Sequence, residues 1–482
     1  MNFILFNPDE MRADTAGCYG HPLVKTPNLD KLAAQGTRFE QAHVTHTVCS
    51  PSRCSMMTGW HPHVHGHRSL WHLLRPEEPN LLQYLHDAGY YILWAGKNDV
   101  FAPETLARDV DRYGSATGKR GRDHKIPFDK DDPRYYSFLM DEAGDYEDSG
   151  DYANVQQAIE FLQNKDDDQP FVIYLPLSNP HPPYCAPKGY HDMYDPADIP
   201  PLRPVQEAGK PDYVREIRKS RRLDEMNDAD FREVHAKYLG QVTYLDALFG
   251  DLMDALEASP HAEDTAVVFW SDHGDWAGDY GLVEKWPAGL DDTLTRVPMV
   301  IRVPNGTQGH VVTEPVEHHD IMPTVLDLAG LECKHSHFAQ SVVPQLQGAA
   351  GDSERMTFAE GGYDLPHDYW CYEGRPDSAA FTLAQPGHIY YPKIALQNEQ
   401  PHTVCRSASI RTQTHKLIQR TKQCNELYDL VTDPLELKNV YDDPEYAEIR
   451  QELTDALLHW YVSTSDVTPW HENPRNYEKQ TL

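Results

Sequence analysis

Short apolar runs alternate with stretches of helical period from Phe3 to about Ala329. Phe3–Phe6 predicts a short buried strand. Thr26-Pro27-Asn28 predicts a helix start, with cap residues and proline in the first turn. Leu29, Leu32 and Ala33 follow at i, i+3, i+4 spacing, and Gly36 supplies a stop. Asn80 opens a second helix over Leu81, Leu82 and Leu85, closed by Gly89, and Tyr90–Ala95 follows as a strand. Val155, Ile159 and Leu162 mark a helix before the strand Phe171–Leu177. An amphipathic stretch from about Asp230 to Leu256 precedes the strand Ala266–Trp270. Pro298–Val303 reads as another strand and Asp320–Ala329 as another helix. Strands alternating with helices predict an α/β protein whose mostly parallel sheet is flanked by helices.

Such sheets bind ligands beyond the carboxyl ends of their strands. Asp9 and Glu10 follow the first strand, Gly96 and Lys97 follow Tyr90–Ala95, His181 follows Phe171–Leu177, and Asp272 and His273 follow Ala266–Trp270. Four strand ends therefore deliver ionisable groups to one edge. The polar, charged segments 119–152 and 184–228 read as long insertions. Beyond about Ser336 the alternation fades; Ala408–Asp429 reads as short strands and Pro444–Val462 as a helix. The expected division is a catalytic α/β domain over 1–335 and a smaller α+β subdomain over 336–482.

Composition narrows the function. Lys+Arg is 43 and Asp+Glu is 75, a formal net charge of −32. A nucleic-acid partner needs the opposite sign, and anionic membrane surfaces are disfavoured for the same reason. No apolar run nears the roughly 18 residues of a membrane span. The N-terminal run is only four apolar residues before Asn7, Pro8 and Asp9. It reads as a strand rather than a signal peptide, so a cytoplasmic protein is expected. The eight cysteines are scattered, so free thiols are expected rather than a disulfide framework. An anionic substrate would have to be drawn by local cations, because the global charge steers it away.

The most specific segment is Val48-Cys49-Ser50-Pro51-Ser52-Arg53. Ser50 suits a helix cap, Pro51 its first turn and Gly59 its end, which sets Cys49 at a helix N-terminus where an anion or thiolate is favoured. Arg53 follows one turn later. His61, His63, His65 and His67 alternate in a way that suggests a metal-binding face, but loop lining and packing are the expected role.

Cys49-x-Pro51-x-Arg53 with Thr58-Gly59 resembles the signature of type I, formylglycine-dependent sulfatases of the alkaline phosphatase superfamily. The likeness extends in order through Asp9, Arg12-Ala13-Asp14, Cys18-Tyr19-Gly20 and Thr26-Pro27-Asn28-Leu29-Asp30. It continues through His65-Gly66, Gly96-Lys97, Pro180-His181-Pro182, Ser271-Asp272-His273-Gly274, Lys285 and Asp320–Thr324. It ends with Leu427-Tyr428-Asp429 and Asp433-Pro434. The resemblance implies an alkaline-phosphatase-like fold and oxidation of Cys49 to formylglycine by a formylglycine-generating enzyme. It also implies hydrolysis of an anionic sulfate ester through a sulfo-enzyme intermediate, and the expected cytoplasmic location makes that ester a small one.

The resemblance assigns one divalent metal to Asp9, Glu10, Cys49, Asp272 and His273, and substrate charge to Arg53, Lys97 and Lys285. It sets His181 near the leaving oxygen. Two metal positions depart from the commonest pattern, Glu10 and His273. The imidazole leaves Ca²⁺ and Mn²⁺ both open. The Asp272-His273 pair also resembles choline sulfatases and phosphonate monoester hydrolases, so a phosphonate monoester or phosphodiester hydrolase is the alternative. A catalytically silent binding module is the other. A third departure puts Asp99 where the family carries a histidine, a possible base. No motif identifies the residues that bind the rest of the substrate, or the oligomeric state.

Overall fold

The computed structural model describes residues 1–116, 126–364, 368 and 383–468. Thirteen strands are present among them. β1 is Asn2–Asp9, β2 Thr37–His43, β3 Tyr91–Ala95, β4 Arg112–Gly114, β5 Phe171–Pro180, β6 Thr265–Trp270, β7 Arg296–Val297, β8 Met299–Arg302 and β9 His310–Glu317. These form one sheet in the order β4-β3-β5-β1-β6-β8-β2-β7, with β9 paired to β2. β1 lies in the interior, parallel to β5 and β6, with Phe3 opposite Val172 and Ala266. β3, β4 and β9 are parallel to their neighbours as well. β8 runs antiparallel to β6 and β2, and β7 antiparallel to β2. Two successive reversals leave β2 pointing the same way as β1, so the carboxyl ends of β1, β2, β3, β5 and β6 share one edge.

The sheet is covered on both faces. One core packs Ile4, Phe6, Ile173 and Phe269 against the helices Gly150–Asn164 and Asp228–Glu257. The other packs Phe3, Leu5, Trp94 and Val268 against the helices Leu81–Asp87 and Ile321–Ala329. The central strands β1, β5 and β6 are buried on both faces, as a sandwiched parallel sheet requires. Asn80 caps its helix by accepting from Gln83 N, as its residue type predicts. Gly36 ends Pro27–Gln35 for a different reason from the one its position suggests. Its backbone is extended, and a Cβ there would meet Ile301 O at 2.4 Å, so it permits close approach to β8.

A second, antiparallel sheet holds β10 (Thr357–Gly361), β11 (Ser407–Arg411), β12 (His415–Arg420) and β13 (Glu426–Asp429). The helix Ala447–Ser463 packs Leu453, Leu457 and Trp460 over it. Seven cysteines carry free thiols; Cys371 lies outside the described residues. Segment 119–152 is described only from residue 126. Segment 184–228 folds onto the first sheet through Tyr184, Arg203 and Arg221, whose partners include Asp275, Asp279 and Glu284. Among the described residues no helix is long and apolar enough to cross a membrane.

Candidate active site

The shared edge gathers the ionisable groups expected there. Asp9 ends β1, and Glu10 turns out of it with φ +67°, a left-handed conformation rare for a residue with a side chain. Several bonds hold that turn. Tyr238 from the helix Asp228–Glu257 donates its hydroxyl to Glu10 O at 2.6 Å and accepts from Arg12 N at 3.0 Å. Glu10 N donates to Asp272 Oδ1 at 3.1 Å, and Met11 N to Ser271 Oγ at 2.8 Å. The turn after β1 is thus tied to the turn after β6.

Cys49 opens a helix that spans Cys49–Thr58. The cap is Val48, so Ser50 lies inside the first turn instead of capping it, while Pro51 is in the first turn as expected. The start falls two residues early because Val48 is extended and its carbonyl already accepts from Ser52 N at 3.1 Å. Gly59, with φ +68°, closes the helix through its N–H to Ser55 O. Cys49 Sγ stands 3.4 Å from Asp9 Oδ1 and 3.3 Å from His273 Nε2. It is 3% exposed, and burial pushes its thiol well up.

Asp9, Glu10, Cys49 and His273 are all buried, and one ligand atom from each lies within 4.8 Å of the others. The imidazole is set for ligation. His273 Nδ1–H donates to Gly274 O at 2.9 Å, which leaves the Nε2 lone pair facing the cluster. Burial holds that ring neutral, with a pKa of about 3. Glu10 Oε2 is buried without a hydrogen-bond partner among the described residues. Two carboxylates, an imidazole and a sulfur converging with an orphaned oxygen fit a divalent cation. Asp272 stands beside this group. Its Oδ2 accepts from Arg53 Nε at 2.8 Å and lies 3.8 Å from His273 Nε2.

Cations surround the cluster. Arg53 also donates to Asn7 Oδ1 at 2.5 Å, while its Nη2 is buried without a bond partner. Lys97 contacts Asp9 and lies 2.7 Å from Asp99. Gly96 sets its place: a Cβ at Gly96 would meet Pro176 O at 2.2 Å, so only glycine lets the end of β3 pass β5. Lys285 contacts Glu10 and lies 3.2 Å from His181 Nε2. Burial opposes its charge, but Cys49 and Glu10 raise it well above the ordinary lysine range. His181 Nδ1–H donates to Pro182 O at 2.5 Å, and burial with Lys285 keeps the ring neutral. Burial opposes charge on Asp99 too, but Lys97 and Arg53 hold it below the usual carboxylate range.

The residues that the sequence assigns to catalysis or metal binding are therefore at this edge. The four histidines 61–67 are not; Pro62–His65 is a short helix, and His63 and His67 bond to Glu360 and Glu78. Residues not singled out include Asn7, Tyr238, Asp275 and Glu284. Asp275 accepts from Tyr184 OH at 2.8 Å, and Glu284 pairs with Arg221 and Lys393 at 3.1 and 2.8 Å. Asn7, Asp275 and Glu284 carry only the signal of adjacency to Asp9, Asp272 or Lys285, and Tyr238, within the helix Asp228–Glu257, carries none.

Over 504 residues the chain is 25% identical to the uncharacterized sulfatase YidJ of Escherichia coli K12, covering 98% of this chain and 91% of that one. It is also 25% identical to the choline-sulfatase of Rhizobium meliloti, covering 94% and 85%. The phosphonate monoester hydrolase of Agrobacterium radiobacter shares the fold, with a TM-score of 0.76 over 96% of each chain at 23% identity. The class is that of the sulfuric ester hydrolases in the alkaline phosphatase superfamily. The chain belongs to the sulfatase family, whose model matches residues 1–331; a model described as N-sulphoglucosamine sulphohydrolase, C-terminal, matches residues 387–462.

Proposed function

We propose that the chain hydrolyses a sulfate ester to an alcohol and inorganic sulfate, with formylglycine made from Cys49 as the nucleophile and one divalent metal, Ca²⁺ or Mn²⁺. The observation that carries this reading is the convergence of Asp9, Glu10, Cys49 and His273 on one point, ringed by Arg53, Lys97 and Lys285. Asp9, Glu10 and His273 would hold the metal with the group at 49, and Asp272 stands close enough to join them. A divalent cation there supplies Lewis-acid polarisation and charge neutralisation. A hydrated formylglycine supplies one hydroxyl for attack and a second whose deprotonation releases sulfate, a step that a thiol lacks.

The chain's own residues do the rest. Arg53 holds Asp272 and keeps a guanidinium nitrogen, 4.0 Å from Asp9 and without a hydrogen bond among the described residues, beside the cluster. Lys97 and Lys285 bring positioned charge to the sulfuryl oxygens, usually the largest catalytic contribution. His181 presents an unprotonated Nε2 to Lys285 at 3.2 Å, which places the pair to stabilise charge on the leaving oxygen. Asp99, paired to Lys97 and held acidic, is a weak proton acceptor. Because Cys49 is 3% exposed, the ester must enter a recess, which suits a small sulfated sugar or organic sulfate.

A formylglycine-generating enzyme is the partner during maturation. Peptide mass spectrometry on the Cys49 segment tests the modification; an unmodified thiol from a host with that enzyme argues for a silent binding module. A panel of sulfate, phosphonate and phosphodiester esters on metal-loaded enzyme tests the reaction. Sulfate turnover should dominate. Phosphonate turnover far above it would establish the alternative that the fold of the Agrobacterium hydrolase suggests.

A further inference from the structure

We propose that Asp99 is a specificity-determining residue that selects singly charged esters over doubly charged ones; the inference rests on the sulfatase reading of the same site. Asp99 lies 2.7 Å from the Lys97 ammonium, and that ammonium also contacts Asp9. Asp9 in turn stands 3.4 and 3.7 Å from Cys49 Sγ through its two oxygens. This chain of contacts sets the Asp99 carboxylate within roughly 8 Å of the reacting position, inside one Debye length at ordinary salt.

Asp99 differs from the other carboxylates of the site. Asp9, Glu10 and Asp272 are fully buried and face the donor cluster or Arg53. Asp99 is 31% exposed, so it sits at the mouth and ligates nothing. Its charge is felt inside: after burial, Asp99 is among the carboxylates that push the Cys49 thiol up, against Lys285. It also competes for Lys97, whose single positive charge is shared between Asp9 and Asp99.

A sulfate monoester carries one negative charge, whereas a phosphate monoester carries two at alkaline pH. The additional charge meets the Asp99 carboxylate, which Lys97 neutralises only in part because the same ammonium also contacts Asp9. At roughly 8 Å and an effective dielectric near 20, and allowing for partial exposure to water, one extra unit of charge costs about tenfold in binding.

The test uses two non-hydrolysable ligands of one shape, benzenesulfonate (a monoanion) and phenylphosphonate (a dianion at alkaline pH). Titration calorimetry on metal-loaded holoenzyme gives the ratio of their dissociation constants. Asp99→Asn should move that ratio about tenfold toward phenylphosphonate, and Asp99→Glu, which keeps the charge, should hold the wild-type ratio. Asp99→Ser carries the same expectation as Asp99→Asn if the latter fails to fold. An unmoved ratio in Asp99→Asn or Asp99→Ser, or equal weakening of both ligands, overturns the proposal. Absence of sulfate-ester turnover in the wild type would overturn the sulfatase reading instead, and the two ligands would still decide on Asp99.

Discussion

At the seam with the C-terminal sheet, Lys416 stands 2.9 Å from Asp292 and 2.8 Å from Glu436, and Arg411 3.1 Å from Asp292. Lys210 nearby donates to Tyr428 OH at 2.6 Å. At the edge of the large sheet Asp9, Glu10, Cys49 and His273 crowd together instead. Both clusters are buried, and both lie where unpaired charge is expensive. In the seam, acids and bases alternate, and Asp292 is paired to both Arg411 and Lys416. At the edge, two carboxylates, a sulfur and an imidazole lone pair aim at one another. Buried charge is thus no signature of function by itself; convergence of electron donors on one point is.

The sharpest separation of the two regions comes from Cys49→Ala. Turnover should fall by about 10⁴-fold or more, roughly 5.5 kcal/mol of barrier, with the unfolding transition little moved. Steady-state kinetics beside circular dichroism reads both. Lys416→Met should do the reverse. Removing one partner of a buried pair costs about 3–5 kcal/mol of stability, seen in urea denaturation, while kcat per folded molecule is kept. Loss of turnover comparable to that of Cys49→Ala would break the comparison.

Metal removal comes next. Chelation should abolish turnover, and restoring Mn²⁺ or Ca²⁺ at 100 times its dissociation constant should return about 2.7 kcal/mol of stability. The same treatment of Glu10→Gln should return less. The smallest effect concerns acid. Burial opposes charge on Asp292, but Arg411 and Lys416 hold it well below its ordinary value. The folded chain then binds fewer protons than the unfolded one, so this stability is present above about pH 4 and is lost as pH falls through the depressed value. The Tm of the wild type should drop below about pH 4, and the gap to Asp292→Asn should narrow there.

The strand ends were the legible part of this molecule. Asp9, Lys97, His181 and Asp272 could be set on one edge because continuous apolar runs precede them. β2 could not be read that way: Thr37-Arg38-Phe39-Glu40-Gln41-Ala42-His43 has no apolar run, and it became a strand by pairing with β7, β8 and β9. The antiparallel β8 was read as a strand but not for its direction, which only tertiary pairing sets. Within the site, the left-handed turn at Glu10 and the pairing of Arg53 with Asp272 were not legible. The first depends on Tyr238 and the second on Asp272 in the β6 turn, each more than two hundred residues away.

The position of β1 has a consequence for how the protein is made. Its partners on both sides, β5 and β6, begin at Phe171 and Thr265, so β1 and the Cys49 segment leave the ribosome long before the sheet can close around them. At roughly 5–20 residues per second, that interval lasts on the order of ten seconds or more. A modifying enzyme that needs Cys49 in an extended chain has that window, and closure of the central strand ends it. Maturation would then be a race between catalysis in trans and the chain's own synthesis, so slowing translation should raise the fraction of modified molecules.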